Sequence, residues 1–279
     1  MADAMVIEES RVAGPGAPAL FSPTGEVLRD IARGGISGAV VGIVVGGLAG
    51  RIVMRIAASL HPEAVGALTE NGNRIGDVTI VGTLFLVLFG VISCGLAGAV
   101  WVIVSPWMPS NTGARASLTA GMAIAIGTPV LIIGRNPDFL ILDHDPRVVA
   151  LLVALVGLIG LSIALLDSWL DRRLPHVVAG RKGPLALYGI VTLLGVVLVL
   201  PFVLLVFLTS DEYQLPIRAG YALVAVGLST ATLWGLRVRG RAGRPRGLAL
   251  AARGALVLAV ILGILTSAPH ISRALGGPL

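Results

Sequence analysis

Apolar residues in this chain come in long unbroken runs, and the polar ones are confined to short stretches between them. Neither the two-residue alternation of a half-buried strand nor the narrow apolar stripe of a surface helix is present over those runs. Seven segments reach the roughly 20 apolar residues that a membrane-crossing helix needs, at about 34–58, 78–104, 116–134, 148–170, 184–208, 217–236 and 249–268. An outer-membrane barrel would instead show segments of about 10 residues with alternating hydrophobicity. The pattern predicts an all-α, polytopic bundle of transmembrane helices.

The third segment is interrupted by Gly127-Thr128-Pro129. Proline removes a backbone donor, and in a bilayer the freed carbonyl must find another partner. Seven spans are expected, or six if the proline-broken segment is re-entrant. Residues 1–21 read as a disordered tail without an apolar core of signal-peptide length. Residues 22–279 read as one helical membrane domain. Ser22-Pro23 is a helix-start signal, a capping hydroxyl followed by proline in the first turn, and it predicts a short polar helix leading into the first span.

Composition agrees with the pattern. The chain is 56% hydrophobic and 13% charged, against about 25% charged in an ordinary soluble domain. The formal net charge of +6 is not a nucleic-acid signal, because the basic residues lie in short loops between apolar runs. Counted loop by loop, thirteen basic residues fall on one side and five on the other. The positive-inside rule places the thirteen, and with them the amino end, in the cytoplasm of a cell bounded by its plasma membrane. Trp101, Trp107, Trp169 and Trp234 all fall near that same side, as interfacial aromatics should. The basic loop carrying Arg237, Arg239, Arg241, Arg244 and Arg246 either sets topology alone or also contacts anionic lipid headgroups. One cysteine, Cys94, excludes an internal disulfide and a cysteine-built zinc site.

Gly34, Gly38, Gly42, Gly46 and Gly50 recur every fourth residue along the first span. Such a stripe lets a second helix backbone approach closely, which is how helices associate where hydrophobicity supplies no drive. Gly90, Cys94 and Gly98 of the second span have the same spacing and form the expected mate. A homo-oligomer face and a sliding surface are the functional alternatives to internal packing.

Beyond the glycines come Arg51 and Arg55, on one helical face in the outer part of the first span. They either reach the outer headgroups or pair with acids of the outer loops, eight in number: Glu63, Glu70, Asp77, Asp138, Asp143, Asp145, Asp211 and Glu212. The second case predicts an outward polar cluster in which Arg51 and Arg55 meet Glu70, Asp77, Asp138, Asp143 or Asp145. Asp143-His144-Asp145 also holds metal-ligand residue types, but Asp145-Pro146 before an apolar run reads foremost as a helix cap, and so does Asp77. Asp167 and Asp171, beside Arg172 and Arg173, read as surface ion pairs.

No zincin, phosphate-loop, nucleophile-elbow or dinucleotide motif occurs, and no cofactor is implied. No span carries a lone carboxylate at its middle, and no internal repeat is evident. The preferred reading is a non-enzymatic membrane-embedded binding, scaffold or accessory protein. A small-solute or anion transporter using the Arg/Asp cluster, and an outer-leaflet enzyme with an Asp-His-Asp metal site, are the alternatives.

Overall fold

The computed structural model describes residues 21–70, 72–133, 136–179, 182–208, 217–241 and 243–277. Helix α1 (Pro23–Val41) runs through a π-helical segment (Gly42–Ala49) into α2 (Gly50–Leu60). Then follow α3 (Ile80–Val104), α4 (Thr112–Leu131), the single turn α5 (Asp138–Ile141), α6 (Pro146–Arg173), α7 (Lys182–Leu208), α8 (Ile217–Val238) and α9 (Arg246–Ala274). Seven of the described helices are long and apolar enough to cross a membrane, with α1, the π segment and α2 acting as one span, Pro23–Leu60. The protein is a multi-pass helical membrane bundle.

The expected polar lead-in helix and the first span are thus continuous. Its start is the predicted cap: Ser22 Oγ accepts a hydrogen bond from Gly25 N–H at 3.3 Å. The tail expected over 1–21 lies, apart from Phe21, outside the described residues, as do the outer acids Asp211 and Glu212.

Consecutive spans alternate in direction, and contacts between connecting segments fix the two ends of the bundle. At one end, here the arginine-rich end, Phe21 meets Val178 and Ser22 N–H donates to Val177 C=O at 2.8 Å. At the opposite end, Glu70 N–H donates to Asp138 Oδ1 at 2.9 Å. The first span is central and packs on α3, α6 and α7, while α4 packs on α6 and α9, and α8 on α9 and α3. Where α8 meets α3, Trp107 Nε1 donates to Thr230 Oγ1 at 2.8 Å in a fully buried contact.

The glycine ladder lies against α3. A β-carbon on Gly38 would come 2.4 Å from Cys94 O, and one on Gly42 would come 2.6 Å from Gly90 O. From the other side, a β-carbon on Gly98 would meet Gly34 O at 2.6 Å. Gly34, Gly38, Gly42 and Gly46 are therefore covered within the chain, whereas Gly50 leaves this seam and has only Leu155 of α6 nearby. The π segment spans the part of the ladder between Gly42 and Gly50. Its i→i+5 turn is wider than an α-turn, and it is here that the stripe passes from α3 to α6.

Pro129 does not make the third span re-entrant. Helix α4 continues to Leu131 and is one of the seven spans. The carbonyl that a residue-129 N–H would have bonded belongs to Ala125, four residues earlier. It accepts from Ser267 Oγ of α9 at 2.7 Å, and Gly263 gives α9 the clearance to come that close. Protein thus satisfies the group that the proline frees, as a bilayer requires.

Candidate functional site

Two groups of polar side chains sit at opposite ends of the bundle. The larger, at the arginine-rich end, is largely buried between the spans. Arg33 Nε donates to Asp167 Oδ1 at 2.6 Å, and Arg33 Nη1 pairs with Asp171 Oδ1. Arg29 Nη1 also reaches Asp171 Oδ1, at 3.0 Å, and its other nitrogens donate to the carbonyls of Asp171 and Leu174. On the far side of Asp167, Oδ2 accepts from Arg115 Nη2 of α4 at 3.3 Å. The Arg115 guanidinium lies 4.7 Å over the Trp101 ring, a cation–π contact. Asp30 stands 3.6 Å from Arg33 and 3.9 Å from Arg237, which ties α8 into the rim. Glu26 bonds Val177 N–H and His176 Nδ1, at 2.8 and 2.9 Å.

The central members are well shielded: side-chain exposure is 2% for Asp167, 3% for Arg29 and 10% for Arg33. Charges taken this far from water persist only when paired. The network joins α1, α4 and α6, so it staples three spans whose apolar surfaces alone give no preference over lipid.

This cluster differs from the sequence expectation. Asp167 and Asp171 were expected to pair on the surface with their neighbours Arg172 and Arg173. Asp167 turns inward to Arg33 of α1 and Arg115 of α4, and the half-exposed Asp171 pairs with Arg29 and Arg33 of α1, while Arg173 lies 5.6 Å from the Trp169 ring. A signal was present in the sequence. Arg29 and Arg33 are four apart on one helix, and Asp167 and Asp171 four apart on another, at the same end of the bundle. Two matched i,i+4 pairs can stack in register.

At the opposite end, Arg51 and Arg55 do reach the loop that carries Glu70 and Asp77, but they bond its backbone. Arg51 Nη2 donates to Asp77 C=O at 2.6 Å and Arg55 Nη1 to Gly76 C=O at 2.7 Å. Among the described residues neither makes an ion pair, so the outward cluster pictured for Arg51, Arg55, Glu70, Asp77, Asp138, Asp143 and Asp145 does not assemble as pictured. Asp138 accepts from Glu70 N–H. Asp77 is not the cap of α3. Thr79 is, with its hydroxyl accepting from Gly82 N–H at 3.0 Å.

The tripeptide Asp143-His144-Asp145 is split three ways. Asp143 is exposed, His144 Nδ1 bonds Ala274 C=O at 3.0 Å, and Asp145 caps α6 by accepting from Arg147 N–H at 2.8 Å. Asp143 and His144 adopt left-handed backbone angles, φ 50° and 53°. The three do not form a ligand set.

What sequence reasoning missed at this end is His61. It caps α2, is buried, and touches a carboxylate with each ring nitrogen: Nδ1 lies 2.9 Å from Glu63 Oε1 and Nε2 lies 3.0 Å from Asp145 Oδ2. Only the imidazolium has a donor at both nitrogens. The bond to Glu63 foremost, and that to Asp145, hold the His61 pKa above its ordinary value, against the opposing effect of burial. Asp145 is held well below the usual carboxylate range, chiefly by the Arg147 side chain. A raised histidine pKa gives stability that is complete below the unfolded value of about 6.5 and is lost as pH rises through the folded value. A depressed aspartate gives stability that is lost only when pH falls far into the acid range. The thermal midpoint of detergent-purified protein is therefore expected to fall as pH rises above about 6.5, and this fall should shrink in His61→Gln. An unchanged slope in that variant would remove His61 from the account.

No protein-family model, curated protein or solved structure matches this chain.

Proposed function

We propose that the chain is a non-enzymatic membrane-embedded binding or scaffold protein of the plasma membrane, with its arginine-rich end in the cytoplasm. The observation that supports this reading is how the polar groups divide. The charged groups of the buried cluster are engaged with one another, whereas seven exposed arginines gather at one end of the bundle. Asp167 has both oxygens engaged by Arg33 and Arg115, and the carbonyl freed at Pro129 is held by Ser267. Arg172, Arg173, Arg237, Arg239, Arg241, Arg244 and Arg246 are exposed. What the molecule offers to a partner is thus a basic rim suited to anionic headgroups, each residue near such a surface contributing about 1 kcal/mol. A transport path would use the proline-broken span and the outward cluster around Arg51 and Arg55, and a metal enzyme would use Asp143, His144 and Asp145 as ligands. The scaffold reading is favoured because Ser267 holds the Ala125 carbonyl, Arg51 and Arg55 bond loop carbonyls, and His144 and Asp145 bond separate partners.

Two measurements test the proposal. In spheroplasts, Arg241→Cys is expected to stay unlabelled by an impermeant maleimide while Leu68→Cys is labelled, the native Cys94 being buried. In liposomes, chloride and phosphate fluxes are expected to equal those of protein-free vesicles. Reversed labelling would invert the topology, and a protein-dependent flux would replace the scaffold reading with transport.

A further inference from the structure

We propose that Arg51, Arg55 and the first turn of α3 form a binding site for the phosphodiester of a phospholipid, in the leaflet opposite the arginine-rich end. This goes beyond the scaffold reading and concerns the other face of the bilayer.

The first observation is two cations without counter-anions among the described residues. Arg51 and Arg55 belong to an apolar span, yet among the described residues they donate only to the backbone carbonyls of Asp77 and Gly76. Carbonyls orient a guanidinium but leave its charge uncompensated. Arg55 is exposed on a face that also presents Ile52 at 61%, Met54 at 50% and Ile56 at 38% exposure, which is a lipid-facing surface. A charge there requires an anion, and the one that the bilayer supplies is phosphate.

The second observation is donors left over. Arg51 Nε is buried with no acceptor among the described residues. Arg51 sits level with the start of α3, because its Nη2 atom lies 3.7 Å from where a β-carbon on Gly82 would stand. At that helix start Thr79 satisfies Gly82 N–H through its hydroxyl and Thr83 N–H through its carbonyl. The N–H groups of Ile80 and Val81 have no partner there among the described residues. The N-terminus of a long helix presents free N–H groups and a partial positive charge to an anion. Gly82, with no side chain, keeps the approach from Arg51 open.

The third observation is an apolar surface against which an acyl chain can lie. A shallow, mostly apolar cleft of about 230 Å³ begins at the same helix start, lined by Val78, Thr79, Ile80, Thr83 and Leu84. Two guanidiniums, the helix start and an adjoining apolar cleft match a phosphodiester carrying a hydrocarbon tail. They match free phosphate only in part.

The test is native mass spectrometry of delipidated, detergent-purified protein titrated with phosphatidylglycerol, with phosphatidylcholine and with inorganic phosphate. Wild type is expected to retain one phospholipid of either headgroup through the shared phosphodiester. Retention by Arg51→Gln/Arg55→Gln is expected to fall about ten-fold or more, since two basic contacts are removed. Arg74→Gln is the control, changing a cation at the same end that bonds Gly66 C=O, and it should retain lipid as wild type does. Should the double variant not purify, Arg55→Gln alone changes an exposed side chain with one backbone contact and is expected to show a smaller loss in the same direction. Equal retention by wild type and a folded Arg55→Gln or double variant would overturn the site. Displacement of the lipid by equimolar inorganic phosphate would overturn the lipid as its occupant.

Discussion

Asp167→Asn is expected to lower the stability of the bundle by about 3–5 kcal/mol, the cost of removing one partner from a buried charge cluster. The carboxylate is 2% exposed and holds Arg33 on one oxygen and Arg115 on the other. An asparagine keeps an acceptor for one of them and brings no charge. Two guanidiniums, 10% and 20% exposed, would then share Asp171, which already serves Arg29 and is itself half exposed. For a chain of this size the loss corresponds to a fall in thermal midpoint of roughly 10 °C. It should be read in detergent by scanning calorimetry or tryptophan emission, alongside the fraction that elutes as a single species. Pairing the change with Arg33→Gln should recover part of the loss, because the penalty comes from the stranded cation as much as from the missing bond. A midpoint within a degree or two of wild type would mean that water already reaches this cluster, and its role as a staple between α1, α4 and α6 would be withdrawn.

The sequence made some of this architecture plain and hid the rest, and the dividing line is the range of the interaction. Most features that act within a few residues were legible, although the cap of α3 is Thr79 and not Asp77. Ser22-Pro23 starts α1 and Asp145-Pro146 starts α6, each with the capping bond that the residue types dictate. Seven apolar runs became seven candidate spans, because the bilayer length is a constraint that each segment meets alone. The glycine spacing also named its mate, since a stripe at one period in α1 and another at the same period in α3 leave little choice of register. Features that depend on which helices become neighbours were not legible. Sequence proximity favoured Arg172 and Arg173 as partners for Asp167 and Asp171. Helix geometry instead turns those acids toward α1, more than 130 positions away. Arg51 and Arg55 were matched with acids on charge alone, but the 61–79 loop folds so that its carbonyls, not its carboxylates, face the first span. His61 carried no motif, and its role exists only because α2 ends beside the start of α6.

Gly90→Ala is expected to destabilise the bundle strongly. A β-carbon at residue 90 would stand 2.4 Å from Gly42 O, 2.9 Å from Gly47 N and 3.0 Å from Gly46 C. All three are backbone atoms, so no rotamer change relieves the contact; the two helices must separate. Separation would be felt along the whole seam, because Gly38 with Cys94 and Gly98 with Gly34 depend on the same close approach. Overpacking a well-filled interior costs about 1–3 kcal/mol, and a backbone-on-backbone clash belongs at or above the top of that range. The contrast is Gly254→Ala in α9, where an added β-carbon meets nothing within 4 Å. That change should leave stability unchanged or raise it slightly, since alanine restricts the unfolded chain and favours helix. Thermal midpoints of the two variants, measured side by side, separate close packing from glycine content. If Gly90→Ala unfolds where Gly254→Ala does, the seam between α1 and α3 can open without cost. The ladder would then be a sliding surface, and the first span would be free to move against the second.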